Sequence, residues 1–102
     1  MELKAGSRWK SAVCATEIAV VRPAKGSVAL QCGGHDMIAV GAERPAGGAV
    51  AADRASGTLI GKRYVDEASG LEILCTKPGE GSVSVDGRAL ALREAKRLPS
   101  SD

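Results

Sequence analysis

The chain of 102 residues is long enough for one domain with one modest core and too short for two. Its 14 basic and 12 acidic residues nearly balance, which lacks the excess of positive charge typical of nucleic-acid-binding domains. Trp9 and Tyr64 are the only aromatic residues, so the stacking surfaces of single-strand binders are also scarce. We therefore expect no nucleic-acid partner.

Residues 9–22 (WKSAVCATEIAVVR) alternate with period two, which predicts a first long strand. The turn sequence PAKG at residues 23–26 leads into a second predicted strand at 27–32 (SVALQC). We expect these two strands to form a hairpin. Two glycines then end the second strand before a short apolar segment at 37–40.

Residues 41–57 (GAERPAGGAVAADRASG) have no apolar periodicity and predict a long surface loop. We interpret it as a mobile loop without a specific ligand. The alternative is a binding loop, or a lid over a small-molecule site, in which four charged side chains would contact the ligand: Glu43, Arg44, Asp53 and Arg54.

The second half of the chain predicts two further hairpins. Residues 58–66 (TLIGKRYVD) and 71–77 (LEILCTK) are predicted strands separated by a turn. Asp86-Gly87 lies between the alternating runs at 81–85 and 88–92, and this dipeptide favours a two-residue type I′ hairpin turn.

The predicted fold is all-β. We expect residues 1–102 to form a single small β-rich domain with about six or seven short strands built from hairpins. The expected architecture is an antiparallel β-barrel or β-sandwich, followed by a frayed tail at 93–102.

The three cysteines and the single histidine are the residues that suggest chemistry. In the predicted first hairpin, Cys14 and Cys32 are diagonal neighbours roughly 7–8 Å apart, which is long for a disulfide and suits two ligands of one metal. His35 and Cys75 would complete a Cys₃His set of the kind that binds structural zinc. The motif QCGGHDM would then be a metal-binding knuckle.

Two other interpretations of the same residues remain open. The favoured one is that each cysteine is a small apolar side chain in the core, as free cysteines commonly are, with no cofactor bound. The other is a thiol-dependent enzyme with Cys32 or Cys14 as nucleophile, His35 as base, and Asp36 or Asp66 orienting that base.

Other motifs carry less chemistry. Residues 57–63 (GTLIGKR) have three residues between their glycines and an arginine where a phosphate-binding loop needs four and a Ser or Thr. We interpret the carboxylates of Asp66, Glu67 and Glu72 as solvated surface charges.

Composition and context indicate how the protein acts. Val, Leu and Ile supply 21 side chains and phenylalanine is absent, so a core with so few large side chains would gain stability against a second copy or a partner protein. No segment has the apolar length of a secretory signal or a membrane span. We expect a cytoplasmic, bacterial protein with no membrane partner that works as a non-catalytic binding or accessory module and self-associates or docks on a partner. Enzymatic activity and zinc binding are the alternatives.

Overall fold

The computed structural model of the chain describes residues 3–45 and 48–93. Within them the fold is all-β, with two antiparallel sheets and a 3-10 helix at Ala52–Arg54. The strands in chain order are β1 (Arg8–Lys10), β2 (Glu17–Arg22), β3 (Leu30–Cys32), β4 (His35–Asp36), β5 (Ile38–Ala39), β6 (Arg63–Asp66), β7 (Leu71–Lys77), β8 (Val83–Val85), β9 (Arg88–Ala89) and β10 (Ala91–Arg93). Across this part of the chain neither sheet closes into a barrel.

One sheet has six strands in the order β10-β6-β7-β2-β1-β5, and the other has four in the order β4-β3-β8-β9. Buried apolar side chains from both sheets join in one core cluster. The cluster includes Ile18, Val20, Leu71 and Ile73 of the six-stranded sheet, and Leu30, Cys32, Val83 and Val85 of the four-stranded sheet. None of the helical residues in the described ranges forms a segment long and apolar enough to cross a membrane.

The predicted long strand at residues 9–22 is wrong in its middle, because the chain turns at residues 11–16. The Ser11 hydroxyl accepts hydrogen bonds from the backbone N–H groups of Val13 and Cys14 at 3.1 and 3.0 Å. A serine side chain bonded to the following backbone favours a turn over an extended strand. The two halves, β1 and β2, consequently fold back on each other as a hairpin.

The predicted hairpin between residues 9–22 and 27–32 does not form. The strand β2 pairs with β1 on one edge and with β7 on the other, so neither edge is left for β3. The segment PAKG instead carries the chain from the six-stranded sheet to the four-stranded sheet. The second predicted strand is also shorter than expected, since only its last three residues lie in β3.

The pairing of the two predicted hairpins of the second half is confirmed, but the strand predicted at 58–66 is shorter, since β6 covers only Arg63–Asp66. Strands β6 and β7 pair antiparallel, as do β8 and β9. Asp86 and Gly87 both have positive φ angles, 48° and 81°, as a type I′ turn requires. The last alternating run divides at buried Leu90, so that β9 lies in one sheet and β10 in the other. Arg93 ends β10, and the rest of the predicted frayed tail, residues 94–102, lies outside the described residues.

The stretch QCGGHDM is a tight hairpin. Cys32 in β3 pairs with His35 in β4, and the two glycines between them have positive φ angles of 64° and 84°. Glycine adopts these angles without the steric cost that a side chain would bring. The motif therefore joins two strands of the four-stranded sheet.

Two carboxylates that the sequence suggested were solvated are buried, and that interpretation is wrong for them. Asp66 is 6 % exposed and Glu72 is 3 % exposed. Arg88 of the four-stranded sheet donates two hydrogen bonds, of 2.9 and 3.2 Å, to Asp66 of the six-stranded sheet. Glu72 accepts hydrogen bonds from Arg63 and Arg93 on the two strands beyond it. Arginine pairing makes this burial tolerable, and the Asp66–Arg88 pair links the two sheets.

Candidate thiol site

The thiols of Cys14 and Cys32 are in contact, with 3.8 Å between their Sγ atoms. Cys14 is half-buried in the turn that precedes β2, whereas Cys32 is fully buried at the end of β3. The pair therefore joins a half-buried cysteine to a fully buried one.

The turn at residues 11–16 fixes the position of Cys14. The N–H of Ser11 donates to the carbonyl of Thr16 at 2.8 Å and closes the turn. The Ser11 hydroxyl oxygen accepts two backbone hydrogen bonds inside it, one from Cys14 itself. Arg44, from the long loop, donates its Nε–H to the Ser11 carbonyl at 3.1 Å. These hydrogen bonds fix the backbone of the turn that carries the Cys14 thiol.

Several donors converge on the Cys14 sulfur. The Thr16 hydroxyl lies 3.2 Å from Sγ, and the backbone N–H of Gly81 donates to it at 3.4 Å. The Ser11 hydroxyl also contributes to lowering the pKa of this thiol. Donors of this kind stabilise a thiolate more than a thiol, because they interact with its full negative charge.

The two thiols have opposite tendencies to ionise. Burial opposes ionisation of Cys14, but the hydrogen bonds from Ser11, Thr16 and Gly81 outweigh it and lower its pKa from 9.0 to about 7. Burial, and next the charge on Cys14, raise the pKa of Cys32 from 9.0 to about 12. Near pH 7 about half of Cys14 is therefore ionised, whereas Cys32 keeps its proton.

Two glycines bring the backbone of residues 79–81 against the thiols. A Cβ at Gly79 would lie 2.2 Å from Thr16 Oγ1 and 3.1 Å from the Cys14 sulfur. A Cβ at Gly81 would lie 2.9 Å from the Cys32 sulfur. Buried Thr58 donates its hydroxyl to the Gly81 carbonyl at 2.7 Å and anchors this segment. Only residues without a side chain fit this close to the pair.

His35 and Cys75, the other two residues of the predicted zinc set, make different contacts. The His35 ring lies 2.9 Å from the carbonyl of Ala49 through Nε2, and the Cys75 thiol donates to the carbonyl of Lys77 at 3.2 Å. Burial raises the pKa of Cys75. In residues 3–45 and 48–93 no three His, Cys, Asp or Glu side chains are grouped so that they could hold a metal ion.

The carboxylates expected to orient a catalytic base also lie elsewhere. Asp36 accepts a hydrogen bond from Gln31 at 3.1 Å, and Asp66 is bound to Arg88 and to Ser69, whose hydroxyl donates to it at 2.6 Å. Neither forms a described hydrogen bond with His35. In this arrangement hydroxyl and backbone donors stabilise the thiolate, and among the hydrogen bonds of the described residues none joins a cysteine thiol to the His35 ring.

The long loop at 41–57 packs against the site through its described residues. Ala51 donates its N–H to the carbonyl of Gly33 at 2.8 Å, beside Cys32 in the chain. Arg54 donates to the carbonyl of Gly87 at 2.7 Å, and Arg44 reaches the Cys14 turn. Of the four charged residues proposed for ligand contact, these two arginines hydrogen-bond backbone carbonyls. The loop is therefore fastened to the body of the protein at several points.

Sequence reasoning missed the residues that tune the thiol. Ser11 and Thr16 lie within five residues of Cys14, and the spacing S-x-x-C is compatible with a serine-capped turn. Gly79 and Gly81 come from a segment more than 60 residues away from Cys14, and nothing in the local sequence indicates their contact with the thiols.

Comparisons of the chain with protein-family models, with curated proteins and with solved structures found no match.

Proposed function

We propose that the protein is a redox module in which Cys14 and Cys32 interconvert between a dithiol and an intramolecular disulfide. The observation that carries this proposal is the 3.8 Å contact between the sulfurs of a half-buried cysteine and a buried one. A partly exposed thiolate with a second thiol beside it is the arrangement that thiol–disulfide exchange requires.

Each cysteine has a separate role in this proposal. Cys14 is the nucleophile, because its pKa of about 7 leaves about half of it ionised at neutral pH and the residue is only half-buried. Cys32 is the resolving thiol, since it is buried and faces Cys14. Closing the bond requires the two sulfurs to approach by roughly 1.8 Å, the difference between their contact and a disulfide bond length.

We propose that the two sheets form a β-sandwich, which the shared core cluster and the Asp66–Arg88 pair between sheets support. A pair that cycles between dithiol and disulfide suits a reducing compartment such as the cytoplasm, where lasting structural disulfides are rare.

Disulfide mapping tests the proposal. Reduced protein is treated with diamide, its free thiols are alkylated, and the non-reduced tryptic digest is analysed by mass spectrometry. Lysines and arginines place the three cysteines on three different peptides, so each pairing has its own mass. We expect a Cys14–Cys32 link in the parent and in Cys75→Ser, and none in Cys14→Ser.

Two results would replace the proposal. Free thiols at all three positions after oxidation would leave the cysteines as core residues. The other result is about one zinc per chain in protein purified without chelator, and no zinc in Cys14→Ser. It would favour the metal site predicted from sequence, with further ligands besides Cys14 and Cys32.

A second candidate function is self-association as a binding module. Leu59 and Ile60 lie side by side in the loop before β6 and are 56 % and 62 % exposed. Adjacent large apolar side chains at this exposure are a usual component of contact surfaces between subunits. We propose that they contact a second copy of the chain.

Sedimentation velocity tests this candidate. A dimer in the parent that dissociates in Leu59→Ser/Ile60→Ser, and persists in Val40→Ser, another exposed apolar position, would support it. A monomeric parent at all concentrations would exclude self-association, and a docking partner of another kind would then be sought.

A further inference from the structure

We infer that the oxidant of the Cys14–Cys32 pair is a small hydroperoxide, with bulky disulfides reacting poorly. This inference rests on the proposed dithiol function. The groups packed around the Cys14 sulfur determine which oxidants can reach it.

The space around the sulfur is narrow. The backbone at Gly79 and Gly81 packs so closely on the thiols that even a methyl group at either glycine would collide with the site. Thr16 and Cys32 occupy two further sides of the Cys14 sulfur, at 3.2 and 3.8 Å. Both reactions are in-line displacements, but hydrogen peroxide brings two small oxygen atoms into line with the sulfur, whereas a disulfide brings two larger sulfur atoms that carry substituents.

The polar groups at the site also suit a peroxide. The Thr16 hydroxyl and the Gly81 N–H already point to the position of the Cys14 sulfur. Groups that donate to a thiolate can donate next to the oxygen that it binds, since that oxygen is attached to the same sulfur. Glu80, exposed between the two glycines, adds a negative charge that disfavours anionic disulfides such as oxidised glutathione.

The reaction has two balanced steps. The Cys14 thiolate attacks the distal oxygen of the hydroperoxide, so a sulfur–oxygen bond forms and the oxygen–oxygen bond breaks. The leaving alkoxide or hydroxide takes a proton from solvent, and Cys14 becomes a sulfenic acid. Cys32 then attacks the Cys14 sulfur, the disulfide forms, and the hydroxyl departs as water with the Cys32 proton. The two electrons of the dithiol have reduced the peroxide.

Competing oxidants test the inference. Reduced protein at pH 7 is mixed with hydrogen peroxide or with oxidised glutathione, and loss of the free Cys14 thiol is followed by quenching with an alkylating reagent. A synthetic peptide of residues 11–22 gives the same two rates for an unfolded Cys14. We expect the ratio of the peroxide rate to the glutathione rate to be at least about tenfold higher in the protein than in the peptide, which corresponds to about 1.4 kcal/mol of selectivity.

A trapping experiment tests the intermediate. Cys32→Ser keeps Cys14 and removes the resolving thiol, so hydrogen peroxide should leave a Cys14 sulfenic acid that dimedone labels. Equal rate ratios in protein and peptide, or no dimedone label in a variant that folds, would overturn the peroxide inference. Neither result bears on the dithiol function, which the disulfide mapping after diamide treatment tests separately.

Discussion

The sulfur atoms of Cys14 and Cys32 lie 3.8 Å apart, although one residue belongs to a turn beside the six-stranded sheet and the other to a strand of the four-stranded sheet. The contact therefore crosses between the two sheets. Sequence spacing had suggested diagonal neighbours within one hairpin, a geometry that disfavours a disulfide. Since that hairpin does not form, the spacing it predicted between Cys14 and Cys32 does not argue against a disulfide.

Alkylation should separate the three cysteines by their reactivity. Cys14 is half-buried with a pKa near 7, so its rate with iodoacetamide should rise through a midpoint near pH 7 and level off above it. Buried Cys32 and Cys75 should react only after denaturation. Peptide mass spectrometry across a pH series provides the measurement. A Cys14 midpoint near 8.5, the value of an ordinary cysteine, would contradict the account.

Replacing Thr16 by valine should raise the pKa of Cys14. The change removes the hydroxyl that lies 3.2 Å from the sulfur and keeps the side-chain shape. At pH 6 the alkylation rate of Cys14 should fall by about tenfold for each unit by which its pKa rises. Thr76→Val, at an exposed position of β7, is the matched control and should leave the rate unchanged. Equal rates in the two variants would show that Thr16 does not stabilise the thiolate.

A methyl group at Gly79 should destabilise the fold, because it would lie 2.2 Å from Thr16 Oγ1 and 2.5 Å from the Thr16 backbone nitrogen. The segment has to shift to relieve this clash, and we expect the free energy of unfolding to fall by about 1–3 kcal/mol. Gly41→Ala is the control, since nothing lies within 4 Å of a Cβ there. Urea denaturation of both variants gives the comparison. Similar stabilities would mean that residues 79–81 do not pack against the thiols as described.

The Asp66–Arg88 pair should make stability depend on pH. Hydrogen bonds from Arg88, and then from Ser69, outweigh burial and lower the pKa of Asp66 in the folded state. A carboxylate with a lowered folded pKa stabilises the protein above its unfolded pKa of about 3.9, and this contribution disappears as the pH falls through the folded value.

The variant Asp66→Asn isolates that contribution. At pH 7 its free energy of unfolding should be about 1–3 kcal/mol below the parent's, because a buried charge-assisted hydrogen bond is lost. The difference should shrink as the pH drops below about 4. Thermal unfolding of both proteins between pH 3 and 7 gives the two curves. A constant difference over this range would show that the carboxylate charge is not involved.

Local sequence signals predicted the hairpin pairing of the second half, although β6 is shorter than the predicted strand and the run at 88–92 divides between the two sheets. The run LEILCTK coincides with β7, and Asp86-Gly87 forms its turn as expected, since both depend on residues that are neighbours in the chain. The predictions for the first half were wrong where the structure depends on a contact between distant residues or on a side-chain hydrogen bond. Ser11 ended the first strand through its hydroxyl, and β2 found a partner, β7, about 50 residues further on. Neither effect can be predicted from the alternation of apolar residues alone.

The candidate site was predictable only in part. The sequence identified the residue types, and the structure brings Cys14 and Cys32 together without His35 in their contact. The asymmetry between the two thiols depends on donors from the turn and from Gly81, and on the burial of Cys32 in a core shared by two sheets. These are tertiary properties, so composition and spacing could not supply them.

The most direct test of the central claim is a redox titration of the folded protein. Samples are equilibrated in buffers with different ratios of reduced to oxidised glutathione until the free-thiol content is constant, quenched by alkylation and analysed by peptide mass spectrometry. We predict one two-electron transition in which Cys14 and Cys32 lose their free thiols together. Cys75 should remain a free thiol at every ratio and should be alkylated only after denaturation. Free Cys14 and Cys32 at every ratio, or a disulfide that includes Cys75, would contradict the account.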